Sequence, residues 1–501
     1  MTSADIRQSF LNYFQEQGHR IVPSSSLVPS NDPTLLFTNA GMNQFKELFL
    51  GTEQRNYQRA TTAQKCMRVS GKHNDLNNVG PSLRHHTFFE MLGNFSFGDY
   101  FKTDAIPFAW TLLTEIWHLS PERLYATIFE GNPDIPRDDE AYSIWQQLLP
   151  ANRIAEMGAA DNFWAMGDTG PCGRCSEIHY YRGDHLPCSE TPCRGIDCSC
   201  DRYVEIWNNV FMEFDRQENG VLAPLHKPSI DTGMGLERIV AVLQNRLSNY
   251  DTDLFSPLLG AIGKRAGVSY QPLMGRDSNS TTDVSLRVIA DHLRAMTLLV
   301  GDGVTPSNEW RGYVLRKIMR RAMRHGKKLG LTEPFLHELI SVVVLEMGSA
   351  YPELTANQPA IVQTVRREEE QFDKVLTDGL PRLEDTLAAS ERGDRTVSGK
   401  DAFRLYDTFG LPLDFIEDLA ESRQMKIDRA GFDQAMETQR ARARASTKFT
   451  ATETTRFTPR TDDALASLTD TFVGYTDTKS HSKVEHLFRT DGTATAMLES
   501  G

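Results

Sequence analysis

A short segment in the first half of the chain carries residue types that can hold an amino acid and a phosphate. The sequence KPSIDTGMGLERIVAVLQ, residues 227–244, predicts a strand that ends at Asp231, a glycine turn, and a helix with Arg238 in its first turns. A carboxylate placed there suits a ligand's ammonium group, and an arginine near a helix N-terminus suits a phosphate. Gly233 and Gly235 would let a ligand approach the backbone. A plain corner between a strand and a helix would look the same, so the segment alone leaves both interpretations open.

A second basic segment precedes an unusually aromatic one. Arg68 and Lys72 lie in KCMRVSGKHNDL, and a polar loop then leads to Arg84 and to HHTFFEMLGNFSFGDYF, residues 85–101. A strand, a basic loop and a returning strand can surround a triphosphate, because arginine forks two phosphate oxygens and adenine stacks on aromatic rings. Core packing is the competing interpretation of the aromatic residues.

Six of the seven cysteines lie between residues 172 and 200. In a reducing compartment such a cluster favours metal binding over disulfides. Four thiolates can hold a tetrahedral zinc in a closed, structural site, and the segment CSETPCRGIDCSC supplies Cys188, Cys193, Cys198 and Cys200. Cys172 and Cys175 have the C-x2-C spacing and could supply two of the four ligands. Reduced free thiols are the alternative.

The charge of the chain is acidic overall and basic in one place. Lys and Arg number 54 against 67 Asp and Glu, a net charge of −13, which excludes a general polyanion binder. The segment RGYVLRKIMRRAMRHGKK, residues 311–328, holds eight Lys or Arg and no acid. Helical spacing predicts an apolar stripe, formed by Val314, Ile318, Met319, Ala322 and Met323, with basic residues on both sides of it. A local nucleic-acid site is favoured over a solvated surface helix, which usually mixes both signs.

The elements that must position these residues fall into three segments. Residues 1–250 predict an α+β domain with strands such as YATIFEG, SEIHYYR and YVEIWNNVFMEFDR. Residues 251–450 predict a second domain that is all helical. Residues 451–501 predict a polar linker and then strands such as VEHLFRT, which stop before a core could close. We expect a piece of a longer chain.

The motifs, in this order, resemble those of class II aminoacyl-tRNA synthetases, and among them the alanyl-tRNA synthetase family. The first motif is GHRIVPSSSLVP with LLFTNAGMNQFK, the second RVSGKHNDL with RHHTFFEMLGNFSFGDYF, and the third DTGMGLERI. Further matches are EIWNNVFMEF, PSNEWRGYVLRKIMRRAMRHG and LYDTFGLPLD. The resemblance covers about residues 1–450 almost without interruption.

The resemblance implies a six-stranded antiparallel sheet with flanking helices, then a helical tRNA-recognition domain and the start of a β-barrel. It implies a ligase that converts alanine and ATP into alanyl-adenylate and pyrophosphate and passes the alanyl group to the 3′ end of tRNA-Ala. ATP is then a substrate, with Mg²⁺ on its phosphates, and the cysteines would add Zn²⁺. Such chemistry needs positioning and charge neutralisation rather than a nucleophilic side chain.

Roles in catalysis follow from the matched positions. The resemblance implies that Arg68 holds the α-phosphate and the amino-acid carboxylate, that Lys72 assists it, and that Arg238 holds the γ-phosphate.

The amino-acid pocket is implied in the same way. Asp231 would pair with the ammonium group of alanine, Asn208 would orient the amino acid, and Trp164 with Ile206 would form a pocket sized for one methyl group.

The tRNA contacts are implied at two polar residues and on the basic helix. Asn308 and Asp407 match the positions that read a G·U pair in the acceptor stem, although an exposed helix cap is the alternative for each. Phosphates would be held by Arg311, Arg316, Arg320 and Arg324. Trp310 stands where relatives are expected to have a small residue.

Several absences are also expected. No apolar run is long enough to span a membrane, and the N-terminus predicts a helix with a Thr2–Asp5 capping box rather than a signal peptide, so we expect a cytoplasmic protein. The editing motif His-x-x-x-His and the family's oligomerisation region are not found, so editing by the same chain is not expected. Two other functions stay open: a paralogue that charges a carrier protein, and an RNA-binding module on an inactive synthetase fold.

Overall fold

The computed structural model describes residues 1–29, 32, 35–70, 73–188, 190–198, 200–272, 280–446, 484–490 and 493–498. The chain divides into two compact units: Met1–Thr396 with Arg404–Lys426, and Val397–Phe403 with Ile427–Gly501. Lys72 and the predicted linker that opens the 451–501 segment lie outside the described residues.

The strands carry most of the candidate site. They are β1 (Arg20–Ile21), β2 (Arg59–Met67), β3 (Val69–Ser70), β4 (His73–Asn74), β5 (Phe88–Ser96), β6 (Leu124–Phe129), β7 (Ile154–Met157), β8 (Phe163–Ala165), β9 (Gly170–Tyr181), β10 (Tyr203–Arg216), β11 (Leu222–Gly235), β12 (Thr396–Val397), β13 (Lys426–Ile427), β14 (Val484–Thr490) and β15 (Thr493–Leu498).

The helices are α1 (Ser3–Glu16), α2 (Lys46–Leu50), α3 (Lys102–Thr111), α4 (Asp139–Trp145), α5 (Ala159–Asn162), α6 (Leu236–Leu243), α7 (Ser256–Ala266), α8 (Thr281–Gly301), α9 (Trp310–Lys328), α10 (Leu336–Met347), α11 (Pro352–Glu391), α12 (Gly399–Asp407), α13 (Leu413–Ser422) and α14 (Arg429–Ser446). Helices α1, α3 and α6 pack on the sheet. Most elements from α6 to α14 are helices.

The main sheet confirms the expected antiparallel architecture. Six strands run antiparallel in the order β2-β5-β11-β10-β9-β6, and short parallel strands extend both edges, β1 beside β2 and β7 beside β6. Strand β8 pairs with β9. One face is covered by α1, α3 and α6, because alternate strand residues such as Ile206, Ile230 and Met234 pack there in a single apolar core.

Two predicted helices form as expected. The N-terminal helix α1 begins with the predicted capping box, in which Asp5 N donates to Thr2 Oγ1 at 3.2 Å and Thr2 N to Asp5 Oδ2 at 2.9 Å. The basic segment forms α9, although Leu315 is buried in its apolar stripe whereas Val314 is only half-buried.

Helix α8 joins the helical segment to the sheet within the first unit. It is buried along nearly its whole length and contacts β5, α9 and α11. A helix buried on all sides must pair its charges, and Arg294 of α8 donates to Glu237 at 2.6 Å. Helix α8 is therefore tied to α6, which directly follows β11.

The second unit is described by itself through α14 and the antiparallel pair of β14 and β15. Strand β14 has the bounds of the predicted strand VEHLFRT, while the β-barrel and the division into 1–250, 251–450 and 451–501 stay predictions. Among the described residues no helix is both long and apolar enough to cross a membrane.

Candidate active site

The free face of β5, β11, β10 and β9 opens into a cavity of about 390 Å³. It brings together residues that are far apart in sequence. The predicted residues that line it are Arg68, Trp164, Asn208, Asp231, Gly233, Gly235 and Arg238.

Asp231 is the buried acid of this cavity. Its side chain is carried by the middle of β11, and the residue is 5% exposed. No cationic side chain within the described part of the chain pairs with it, and burial raises its pKa to about 7. An ammonium group entering the cavity would supply the missing countercharge.

The predicted glycine turn after Asp231 does not form. Strand β11 continues to Gly235, and helix α6 begins directly at Leu236. Because side chains alternate along a strand, Asp231, Gly233 and Gly235 all face the cavity. The glycines therefore clear the strand surface for a ligand, and they do so in extended backbone.

Arginines gather on another side of the cavity. The guanidinium of Arg68 lies 5.0 Å from the ring centre of Phe89, and its buried Nε has no hydrogen-bond acceptor in the described part of the chain. Arg238, in the first turn of α6, donates to Glu205 Oε2 at 2.7 Å. Burial, and after it the positive charge of Arg238, lowers the pKa of Arg84. Such mutually repelling cations attract an anion.

The aromatic run serves both the core and the cavity. Phe88 is fully buried, and its ring lies 5.1 Å from the guanidinium of Arg294. The next residue, Phe89, lines the cavity. Neighbouring strand residues point to opposite faces, so the aromatic run supplies both core packing and a ring on the cavity wall.

Ile206 does not line the cavity, contrary to the sequence-based expectation. The pairing of β10 with β9 shifts register between Glu205 and Trp207, so Ile206 and Trp207 both enter the core. The residues of β10 that reach the cavity are Glu205, Asn208 and Val210. Val210, which pairs with Asp231 across the strands, lines the cavity together with Trp164.

Two glutamates of the cavity escaped the sequence-based predictions. Glu177 of β9 and Glu205 of β10 both line it. Burial, and then the negative charge of Glu205, raises the pKa of Glu177 to about 7. The pKa of Glu205 is lowered in spite of its burial, because Arg238 pairs with it. Neighbouring carboxylates of this kind can hold a cation. The signal in the sequence was weak, because acids alternating with apolar residues also occur on solvent-facing strands.

Helix α8 forms hydrogen bonds with the residues that directly precede β5. The Asp291 carboxylate accepts from Thr87 N at 3.0 Å and from His86 Nδ1 at 3.3 Å. Asn249 Nδ2 donates to His86 Nε2 at 2.9 Å. Both His86 and Asn249 line the cavity, so its floor is fixed by buried polar contacts.

The four predicted zinc ligands come together in the loop between β9 and β10. The Sγ atoms of Cys188, Cys193, Cys198 and Cys200 all lie within 4.8 Å of one another. Among the described residues, Cys172 and Cys175 are not part of this group and are buried in β9. The loop also carries Asp201, whose carboxylate lies 3.3 Å from Arg84 Nη1 at the cavity.

The predicted tRNA-contacting arginines on α9 are engaged with the protein itself. Arg311 donates to the carbonyl oxygens of Leu35 and Leu36. Arg316 and Arg320 donate to the buried Glu368 of α11, and Arg324 lies on the same helix.

The two predicted base-reading residues are both exposed. Asn308 precedes α9, and its side-chain oxygen accepts from Arg316. Asp407 is the last residue of α12.

Comparison with known proteins agrees with this geometry. The family model described as tRNA synthetases class II (A) matches residues 5–501. The chain is 55% identical over 464 residues to an alanine–tRNA ligase of Anaeromyxobacter sp. (strain Fw109-5), covering 88% of this chain and 51% of that one. It is 51% identical to the alanine–tRNA ligase of Oleidesulfovibrio alaskensis, covering 100% of this chain and 56% of that one. The chain spans about half the length of the curated relatives it matches.

These matches cover nearly the whole chain and include the strands, the cavity and α9. The chain therefore belongs to the class II (A) family of tRNA synthetases.

Proposed function

We propose that this chain activates alanine with ATP and transfers the alanyl group to the 3′ end of tRNA-Ala. The observation that carries the proposal is a buried Asp231 with no cationic partner in the described chain, in one cavity with Arg68 and Arg238. An amino acid has an ammonium group that can pair with Asp231 and a carboxylate that can pair with the two arginines. A protein with that function works where translation takes place, and we propose the cytoplasm for it.

The first step joins the amino acid to the nucleotide. A carboxylate oxygen of alanine attacks the α-phosphorus of ATP, the bond from that phosphorus to the bridging oxygen breaks, and pyrophosphate leaves. Arg68 holds the α-phosphate and the amino-acid carboxylate, Lys72 assists it, and Arg238 holds the γ-phosphate. Phe89 offers its ring to adenine. The side chains position the reactants and balance charge, and none forms a covalent bond.

Glu177 and Glu205 would hold the Mg²⁺ of the nucleotide. The fit rests on two adjacent carboxylates in the cavity, one with its pKa raised to about 7 by burial and by the other's charge. A bound divalent cation relieves that repulsion. When bound, Mg²⁺ neutralises charge on the phosphates.

The choice of alanine rests on the size of the amino-acid pocket. Trp164 and Val210 close the space beside Asp231, and Asn208 orients the amino acid. Side chains larger than that of serine clash there, whereas serine adds only a hydroxyl group, and glycine lacks one methyl group and is disfavoured by only about 1–3 kcal/mol. We therefore expect weak activation of glycine and of serine as well.

In the second step a hydroxyl of the tRNA 3′ adenosine attacks the alanyl carbonyl and an ester bond forms. The bond from the carbonyl carbon to the adenylate oxygen breaks, AMP leaves, and the hydroxyl proton passes to the AMP phosphate or to water. We propose that Asn308 and Asp407 read a G·U pair, because their oxygens can accept from the guanine amino group in the minor groove. The Asn308 oxygen already accepts from Arg316, which orients the amide, and a second lone pair remains.

The cysteine loop would hold a structural Zn²⁺. The Sγ atoms of Cys188 and Cys198 lie 3.5 Å apart, and those of Cys193 and Cys200 3.7 Å apart. A tetrahedral zinc with Zn–S bonds of about 2.3 Å requires sulfur atoms about 3.8 Å apart. All four positions would be filled by thiolates, so the ion takes no part in the reaction.

A charging assay separates this proposal from its alternatives. With a tRNA-Ala transcript, the chain should form alanyl-tRNA, and Asp407→Ala should lower charging at least tenfold while ATP–pyrophosphate exchange stays within twofold. A transcript in which G·C replaces the G·U pair is not expected to restore charging by Asp407→Ala. Equal charging of both transcripts by the unaltered chain would contradict the base-reading role, and exchange without any charging would point to another acceptor.

A further inference from the structure

Trp310 is an exposed aromatic residue at the start of the basic helix. It is 70% exposed, and Tyr313, one turn further along α9, is 43% exposed. Residues three apart on a helix are neighbours, so the two rings lie on one surface. Exposure of an indole ring to water is unfavourable, and most tryptophan side chains in folded proteins are more buried than this one.

The backbone at Trp310 is also unusual. Its φ is +51°, in the left-handed region that favours glycine. Neither the exposure nor the φ stabilises the fold, and a glycine would fit the backbone better. Residues with strained backbone cluster at ligand-binding sites, so Trp310 is a candidate contact residue.

The support beneath this residue is rigid. A Cβ added to Gly312 would lie 2.2 Å from Ser307 Oγ and 2.4 Å from Thr305 O, so the preceding loop packs closely on the first turn of α9. Ser307 Oγ donates to Glu309 O at 2.9 Å, and Arg316 Nη2 donates to Pro306 O at 3.4 Å. The backbone that carries the indole is therefore fixed before binding, which reduces the entropy lost on binding.

The charge around Trp310 favours one class of partner. Helical spacing places Lys317 and Arg324 on the side of α9 that carries Trp310 and Tyr313. The chain as a whole has a net charge of −13, so this basic surface contrasts with the acidic protein and favours a polyanion. Aromatic rings beside basic residues are the usual surface for RNA, where bases and riboses pack on the rings.

We infer that Trp310 is an RNA-contacting residue, whose ring packs against an unpaired base or a ribose beside the pair that Asn308 reads. The inference rests on the proposed function for the identity of the RNA. It adds a contact that the proposed base reading does not require.

The test uses Trp310→Gly, which removes the ring and relieves the backbone. A tRNA-Ala transcript should bind this variant about 5- to 100-fold more weakly, the range for loss of one base–aromatic stack. Trp310→Phe should keep affinity within about threefold but lose the part of the fluorescence quenching that the transcript causes in the parent. Leu345→Ala, which alters a 79% exposed side chain on α10, is the matched control and should bind like the parent.

Two further measurements, of thermal stability and of ATP–pyrophosphate exchange, separate loss of RNA binding from loss of folding or activity. The melting temperature of Trp310→Gly should equal or exceed that of the parent, and its ATP–pyrophosphate exchange should be unchanged. Parent-like binding and charging by Trp310→Gly would overturn the inference alone. A change in sedimentation without a change in RNA affinity would also overturn it, in favour of a protein partner. No saturable binding by the parent would overturn it together with the tRNA part of the proposed function.

Discussion

Asp231 illustrates how a single residue can set the pH range of binding. Its carboxyl is buried on a strand between other strands, and burial alone raises its pKa to about 7. Only the ionised form can pair with an ammonium group. The free protein thus holds a carboxyl that is half-protonated near neutral pH and that a ligand would ionise.

The affinity for alanine should therefore depend on pH. Above about pH 7 Asp231 is ionised and the KM for alanine should be constant, whereas below it the KM should rise about tenfold per pH unit. ATP–pyrophosphate exchange at fixed, saturating ATP measures this from pH 5.5 to 8.5. The neighbouring acid Glu177 also titrates near pH 7, so its effect on ATP must be followed in the same series.

The control for this profile is Asp231→Asn, which should raise the KM for alanine at least 100-fold and abolish its pH dependence. Asp215→Asn, on β10 and outside the cavity, should behave like the parent. An unchanged pH profile in Asp231→Asn would assign the titration to another group.

At the scale of elements, the cysteine loop links a proposed metal to the cavity. Arg202 Nε donates to Leu186 O at 2.7 Å and Arg182 N to Arg202 O at 2.7 Å, which closes the base of the loop. Asp201 then faces Arg84 of the cavity. Loss of the cross-link that a zinc ion would form between the thiolates should loosen the contact between Asp201 and Arg84.

Cys198→Ser should lower bound zinc from about one equivalent per chain to well below half, as measured by mass spectrometry of the metal. The melting temperature should fall by several degrees, because a structural zinc contributes folding energy. The KM for ATP should rise a few-fold while the KM for alanine changes little. Cys172→Ser, the same change at a thiol buried in β9, should keep its zinc, and equal zinc loss in both variants would refute the assigned ligand set.

The elements differ in how far the sequence predicts them. Helix α9 follows from periodicity, because its buried residues recur at helical spacing on one face. Strand β10 follows from its apolar and β-branched composition, although its burial does not alternate regularly. The register shift at Glu205–Trp207 does not, since a bulge is a property of two paired strands, and the error at Ile206 follows from it. The pairing of Arg320 with Glu368 likewise depends on the fold, because the two residues are 48 positions apart.

At the scale of the whole molecule, an acidic protein carries a basic helix, α9, that suits a polyanion. Two of the arginines on α9 share Glu368, so their charge is partly balanced before RNA arrives. Lysines and arginines elsewhere on the helix should then provide more of the phosphate contacts. Binding of tRNA should weaken steeply as salt rises, because each phosphate contact releases counterions.

Lys317→Ala should lower the slope of log affinity against log salt by about 1, the loss expected for one phosphate contact. The effect should be the same for different tRNAs, because phosphate contacts carry no sequence information. Arg366→Ala, on the exposed side of α11, is the matched control and should leave the slope unchanged. Equal slopes for Lys317→Ala and the parent would show that RNA binds elsewhere.

The most direct test of the central claim is ATP–pyrophosphate exchange by the purified chain across a panel of amino acids that includes alanine, glycine and serine. Exchange should be strongest with alanine, weaker with glycine and serine, and lost in Asp231→Ala. No exchange with any amino acid, from a folded sample supplied with ATP and Mg²⁺, would contradict the proposed activation chemistry, and so would exchange that persists in Asp231→Ala.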